Sequence, residues 1–185
     1  LRQVKATVIE NKGLLPGHAR RGGRALSSTH LIWLNSPEIA RPARPGQFVM
    51  VRCGEDCLLP RPFSVHRVDR DNLALLFAVL EQGKGTSWLA QREAGNPVEL
   101  FGPLGNGFSV HPDAKNLLLV AGGIGIAPLH FLAQEALKLG CSVRLLYGAA
   151  TAAQLYPARE LPDGADKFLF TEDGTSGERG LVTDY

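Results

Sequence analysis

Short apolar segments separated by turn residues fill the first hundred positions, and the pattern changes after about His111. Over residues 3–10, Val4, Ala6 and Val8 alternate with Gln3, Lys5 and Thr7, the period of a half-buried strand. Residues 11–28, with Gly13, Pro16, Gly17, Gly22 and Gly23, read as a loop. Further strands are expected at residues 29–35, at 48–52 after a Pro45-Gly46 turn, and at 62–68 and 73–80, joined through Asp69-Arg70-Asp71-Asn72. Gly95-Asn96-Pro97 is a break, and residues 98–101 form a sixth strand. A short helix over 86–92, with Thr86 as its cap residue, lies between the fifth and sixth strands. Six short strands with one such helix predict an antiparallel barrel.

The second half has another rhythm. Residues 117–121 are continuously apolar, as in a parallel strand buried on both faces. A helix over 127–139 carries Leu129, Leu132, Ala133, Ala136, Leu137 and Leu139 on its apolar face, and Gly140 stops it. Strands follow at 142–148 and 167–171. Strand, helix and strand with a glycine-rich first turn make a βαβ unit. The expected class is β plus α/β: a six-stranded antiparallel barrel over residues 1–110, then a parallel α/β domain over 111–185. Three strands are few for an open α/β sheet, so the chain reads as a fragment or a shortened member of its family.

Composition narrows the function. With 185 residues, 44% hydrophobic and 21% charged, the chain has the makeup of a soluble globular protein with room for two modest cores. A net charge of +2 gives no strong basic field, which argues against nucleic acid as a partner. The apolar runs are too short to cross a bilayer, and the first residues lack the pattern of an export signal. Cys53, Cys57 and Cys141 are odd in number and lack metal-ligand spacing, so they read as thiols of a reduced cytoplasm. Arg20, Arg21 and Arg24 read as a solvated basic loop, with a phosphate or partner contact as the alternative. No serine or cysteine nucleophile arrangement is visible. His66 reads as an ordinary strand histidine, although it follows a cofactor-like motif and could touch a ligand.

Three segments carry candidate chemistry. In Arg61-Pro62-Phe63-Ser64, strand alternation puts Arg61 and Phe63 on one face and Ser64 on the other. An arginine fork matches a pyrophosphate, an aromatic edge can abut a flavin ring, and a hydroxyl can bond its polar rim. Alone, the tetrapeptide reads better as a surface arginine beside a core phenylalanine. Gly83-Lys84-Gly85-Thr86 changes that balance, because two glycines let backbone approach phosphate oxygens at a helix start. A shared pyrophosphate then becomes the better account. The strongest signal is Ala121-Gly122-Gly123-Ile124-Gly125-Ile126-Ala127-Pro128, between an apolar strand and an amphipathic helix, the setting of a dinucleotide loop. Pro128 stands where a third glycine is usual and suits a helix's first turn. Tyr147 and Gly148 end the next strand, where ligands bind in open α/β sheets, and the glycine leaves room for a ribose or nicotinamide. Glu172 and Asp173 end the third; a carboxylate there favours NAD over NADP, and a solvated acidic turn explains it equally well.

Together with Leu59-Pro60 ahead of Arg61 and Gly102-Pro103-Leu104-Gly105-Asn106-Gly107-Phe108, these motifs resemble the ferredoxin reductase-like family. Within it, they resemble the electron-transfer subunits of bacterial NAD-linked dihydroorotate dehydrogenases, over nearly the whole chain. The resemblance implies FAD on the barrel, held by Arg61, Pro62, Phe63, Ser64, Val65, Leu76, Phe77, Ala78, Val79, Gly83, Lys84, Gly85 and Thr86. It implies NAD(H) on the α/β domain, at Gly122, Gly123, Gly125, Pro128, Tyr147, Gly148, Glu172 and Asp173. It also implies a catalytic FMN-containing dihydroorotate dehydrogenase partner in a hetero-oligomer, a role in pyrimidine biosynthesis, and no membrane. A [2Fe–2S] cluster is implied only for a full-length protein, on cysteines beyond the ones here. No side chain is expected to act as an essential acid or base, since the flavin carries the redox chemistry. The alternatives are another flavin reductase of the same fold, such as an NADPH:ferredoxin transhydrogenase or hydrogenase-linked subunit, and a non-catalytic nucleotide-binding module.

Overall fold

The computed structural model describes residues 2–16, 20–21 and 24–185. Its first half is a closed antiparallel barrel of six strands: β1 (Arg2–Pro16), β3 (Arg24–Asn35), β4 (Phe48–Arg52), β5 (Arg61–Asp69), β6 (Asn72–Leu80) and β7 (Pro97–Leu104). They run in the order β1-β7-β4-β5-β6-β3, and a β1–β3 pairing closes the ring. A two-residue strand, β2 (Arg20–Arg21), extends β3. Alternate residues point inward, and Val8, Ile32, Leu34, Val49, Val51 and Leu75 fill the interior. Two short helices plug the barrel: α1 (Pro37–Ala40) buries Ile39 and Ala40, and α2 (Lys84–Ala90) buries Leu89.

Residues 11–28 are not a loop in their described part. β1 runs on to Pro16 and pairs with β3 as far as Pro16↔Ser28. Cross-strand bonds override the local loop signal, because Gly13 sits at a register shift and Pro16 at a strand end, two places where a sheet tolerates them. Gly17, Gly22, Gly23 and the side chains of Arg20, Arg21 and Arg24 lie outside the described residues.

The second half is a parallel sheet, ordered β11-β10-β9-β8, of β8 (Asn116–Gly122), β9 (Ser142–Ala149), β10 (Asp166–Thr171) and a fourth, unexpected strand β11 (Glu178–Arg179). α3 (Ile126–Lys138) covers one face and ends at Gly140, whose φ of 81° is the left-handed stop the sequence predicts. β8 is not buried on both faces. It lies at the sheet edge, and Leu118 and Val120 are 59% and 44% exposed while Leu119 and Ala121 pack under α3. The buried face of α3 also differs from the one read from apolar spacing: Leu139 is exposed, whereas His130 and Phe131 are buried. The helix is wedged between its own sheet and β5 of the barrel, so it buries a second stripe.

Candidate functional site

The barrel contributes a cradle at one end of β5. Arg61 opens the strand at the surface, and its only described hydrogen bond runs from Nη1 to the Leu59 carbonyl, 3.3 Å away. Gly85 passes directly over it: a Cβ there would lie 3.3 Å from Arg61 Cγ and 3.2 Å from Cys53 Cβ. Gly83 is similarly tight, since a Cβ would come within 2.7 Å of Thr86 Oγ1. Arg61 and the Gly83-Lys84-Gly85-Thr86 segment, read separately from the sequence, are therefore one site. Thr86 is not the cap. α2 begins at Lys84 behind Gly83, and the Thr86 hydroxyl donates to the Gly83 carbonyl at 3.2 Å from within the first turn. Lys84 is exposed beside it. Cys53, beneath the cradle, is a buried thiol whose pKa burial raises to about 11, so it is not a nucleophile.

Several predicted contacts turn inward. Phe63 shares a face with Arg61, as expected, but that face enters the barrel, where Phe63 meets Phe77 edge-on at 5.6 Å. Phe63, Val65, Phe77 and Val79 are core residues, so their side chains present no open surface to a ring. The positions facing out of the barrel are Pro62 and Ser64 on β5 and Leu76 and Ala78 on β6; Leu76 is 3% exposed, packed in the core of the second half, and Ser64 lies beside it because Val65 pairs with Leu75.

Opposite this outer face stands the glycine turn. β8 ends at Gly122, a 3-10 turn spans Gly123–Gly125, and α3 follows with no side chain capping it. Gly123 takes a φ of 52°, which favours glycine. Gly122 and Gly125 have ordinary φ, and a Cβ on either would meet nothing within 4 Å. Protein packing therefore gives no reason for those two glycines, whereas a ligand against the turn does. Pro128 occupies the third position of α3, where it costs no hydrogen bond. A mostly apolar cavity of about 260 Å³ separates the turn from the barrel, with Leu76, Ala78 and Leu80 on one wall and Gly123, Ile124 and Tyr147 on the other. Gly83 donates its N–H to the Leu80 carbonyl at 2.8 Å, so the cradle adjoins this cavity.

The remaining predicted positions are less open. Tyr147 is buried, and its hydroxyl accepts the Tyr156 N–H at 3.0 Å; burial raises its pKa. Gly148 was expected to admit a ribose or nicotinamide, but Val182 fills the space, 3.0 Å from where a Cβ would sit. Glu172 is exposed. Asp173 is engaged locally: its Oδ1 accepts the Thr175 hydroxyl at 2.6 Å and the Thr175 N–H at 3.0 Å, which holds its carboxyl below the ordinary range.

A polar seam joins the two halves and was not legible in the sequence. His66, fully buried, contacts the Ala127 carbonyl (2.9 Å) and the Tyr156 hydroxyl (3.0 Å). Its ring lies 4.5 Å from that of His130, which contacts the Glu160 carbonyl at 2.9 Å. Arg67 donates to the Tyr156 hydroxyl (2.7 Å), to the Glu160 carboxylate (3.1 Å) and to the Glu160 carbonyl. Burial, then the neighbouring His130, pushes the His66 pKa well down. Burial, then Arg67, pushes His130 down to about 3. Burial raises Tyr156 to about 12. Three separate chain segments supply these residues, so no local spacing betrays them.

A closed six-stranded barrel facing a parallel sheet with a glycine turn defines the ferredoxin reductase-like class of flavin-dependent oxidoreductases. A solved NADH-dependent reduced ferredoxin-NADP oxidoreductase, described for flavin-based electron bifurcation, superposes with a TM-score of 0.80 at 26% identity, over 97% of this chain and 60% of that one. No protein-family model matches the chain. The dihydroorotate dehydrogenase B (NAD(+)) electron transfer subunit of Desulforamulus reducens is 43% identical over 160 residues, which cover 84% of this chain and 60% of the relative. That of Geobacillus sp. strain WCH70 is 32% identical over 188 residues, 100% of this chain and 69% of the relative. The chain belongs to this family of dihydroorotate dehydrogenase B electron transfer subunits. It spans about 60% of the length of the first of these relatives.

Proposed function

We propose that the chain binds FAD on its barrel, residues 1–110, and NAD(H) on its α/β half, residues 111–185, and passes electrons between a catalytic partner and NAD⁺. One observation carries this reading: the glycine turn faces the outer surface of β6 across a single cavity that adjoins the Arg61 cradle. Arg61, with the backbone of Gly83, Lys84, Gly85 and Thr86, holds the FAD pyrophosphate. Ser64 and Ala78 offer the surface against which its ring system lies, with Leu76 packed beside Ser64. Gly122, Gly123 and Gly125 admit the nicotinamide nucleotide's pyrophosphate, and the uncapped first turn of α3 directs N–H groups toward it. FAD, when bound, supplies exchange of two electrons with NAD(H) and of single electrons with a partner. The chain's own work is binding, orienting and excluding water.

The names of the relatives support a catalytic dihydroorotate dehydrogenase partner and a place in pyrimidine biosynthesis. An FMN on that partner and a cytoplasmic setting complete the proposal. A [2Fe–2S] cluster finds no ligand set among the described residues, where no three His, Cys, Asp or Glu side chains gather as a metal needs, and no step is derived through it. No helix among the described residues is long and apolar enough to cross a membrane. The likeness to the reduced ferredoxin-NADP oxidoreductase favours, as a second reading, a reductase whose partner is ferredoxin.

The test is direct. Purified protein is expected to be yellow and to lose its flavin absorbance when NADH is added without air. Colourless protein that binds only nucleotide would leave a binding module, and yellow protein inert to NADH would remove the nicotinamide site. Separately, Gly125→Ala is expected to leave stability unchanged or slightly raised, because the position has ordinary φ and open space. The same change raises the KM for NADH by about tenfold or more, as a methyl group intrudes on the nucleotide. An unchanged KM with full activity would move the nucleotide elsewhere.

A further inference from the structure

The motif strand β5 and the glycine turn are tied by one buried side chain. His66 lies two residues after Ser64, and Ala127 two residues after Gly125. A register shift between Val65 and Arg67 breaks the alternation of β5, so the consecutive residues His66 and Arg67 both reach the second half of the molecule. The direction of the hydrogen bonds is dictated by chemistry. The Ala127 carbonyl only accepts, so His66 Nδ1 carries the hydrogen. Nε2 is then a bare acceptor, and the Tyr156 hydroxyl donates to it. The Tyr156 oxygen in turn accepts from Arg67, which is anchored on Glu160. Adding a proton to His66 would set a second donor against the Tyr156 oxygen, with His130 only 4.5 Å away.

We propose that His66, in its neutral Nδ1–H form, is a positioning residue that sets the glycine turn in register with the outer face of β5, aligned by the Tyr156–Arg67–Glu160 chain. The inference rests on the reading of the cavity as the meeting place of flavin and nicotinamide. Its effect is geometric: two reacting rings must be held to within about an ångström, and a misplacement of that size costs about 100-fold in rate. His66 touches neither ring. It acts through Ala127, at the start of α3 just behind the turn.

Three measurements on the whole chain test this. Nitrogen-15 shifts of the histidines in the wild-type protein should report the Nδ1–H form of His66; an Nε2–H form overturns the proposal. In nucleotide-free protein, His66→Leu should speed amide exchange over residues 123–127 by about tenfold or more, reflecting a loosened local opening equilibrium. With FAD retained, the same variant should lower the saturating rate of flavin reduction by NADH about 10- to 100-fold, with a smaller change in KM. His66→Asn, whose amide N–H stands near the position of Nδ1, should restore most of both. A purely structural role would lower the melting temperature and leave the saturating rate intact, and that result, or wild-type exchange in the leucine variant, refutes the assignment. If His66→Leu does not fold, Tyr156→Phe carries the same two measurements, and no change in either refutes it. Wild-type protein that takes up no FAD sinks the functional reading instead, while the tautomer and exchange measurements still decide the tie between β5 and the turn.

Discussion

Arg61→Ala is expected to strip FAD from the protein. The guanidinium stands at the surface with a single long bond to the Leu59 carbonyl, so its removal leaves the barrel intact. A paired charge-assisted contact to a pyrophosphate contributes about 3 kcal/mol, which is a rise in FAD Kd of about 100-fold. The protein should therefore elute colourless from a desalting column, with a melting temperature close to that of cofactor-free wild type. Arg61→Lys should recover only part of the affinity, since an ammonium offers a charge without the fork. An Arg61→Ala protein that stays yellow through dialysis would show that the pyrophosphate lies elsewhere.

The second large effect is a loss of stability on mild acidification. His66 and His130 are buried and neutral, and both have pKa values below the ordinary 6.5, His130 down to about 3. A group whose folded pKa is depressed takes up its proton more readily in the unfolded chain. Between about pH 6.5 and the folded pKa the unfolded state therefore binds more protons, and stability falls as pH falls through that window. For His130 this amounts to about 2 kcal/mol at about pH 5 relative to neutral pH, and His66 adds a term of the same sign. Arg67 faces the pair as a fixed positive charge and Glu160 as its counter-ion, so neither ring has a carboxylate of its own to favour the charged form. Urea midpoints measured from neutral pH down to about pH 5 should drop steadily, and His130→Asn should flatten part of the slope. A flat profile would mean that one of the two rings is already charged in the fold.

The elements that were legible and those that were not differ in where their information lies. β4 coincides with its predicted span because Pro45-Gly46 precedes it and its apolar run, Phe48 to Val51, ends at Arg52. The glycine turn was recognisable because the strand, the turn and the helix are contiguous. The β1–β3 ribbon was missed because Gly13 and Pro16 look like loop residues locally, and only the partner strand shows that they sit at a shift and an end. The apolar face of α3 was misread because one of its buried contacts is a histidine against another histidine, which no hydropathy period registers. The same limit applies at the site. Arg61 and Gly85 were each visible, but which of Phe63, Phe77 and Val79 would turn inward depended on the facing of β5 and β6 in a closed barrel. His66, Arg67, His130, Tyr156 and Glu160 meet only after both halves have formed, so the seam carries no linear signature.

Closure of the barrel has a consequence for the order in which the molecule is made. Its first strand finds its second neighbour only at the far end, where Arg2 pairs with Gly102. During synthesis the ring stays open until β7 has left the ribosome, although Arg61 and Gly85 are by then long since translated. Because that final pairing spans so much chain, it is intrinsically slow. On the proposed reading, FAD is therefore expected to bind only after closure, and a nascent chain halted before Leu104 offers it no closed barrel.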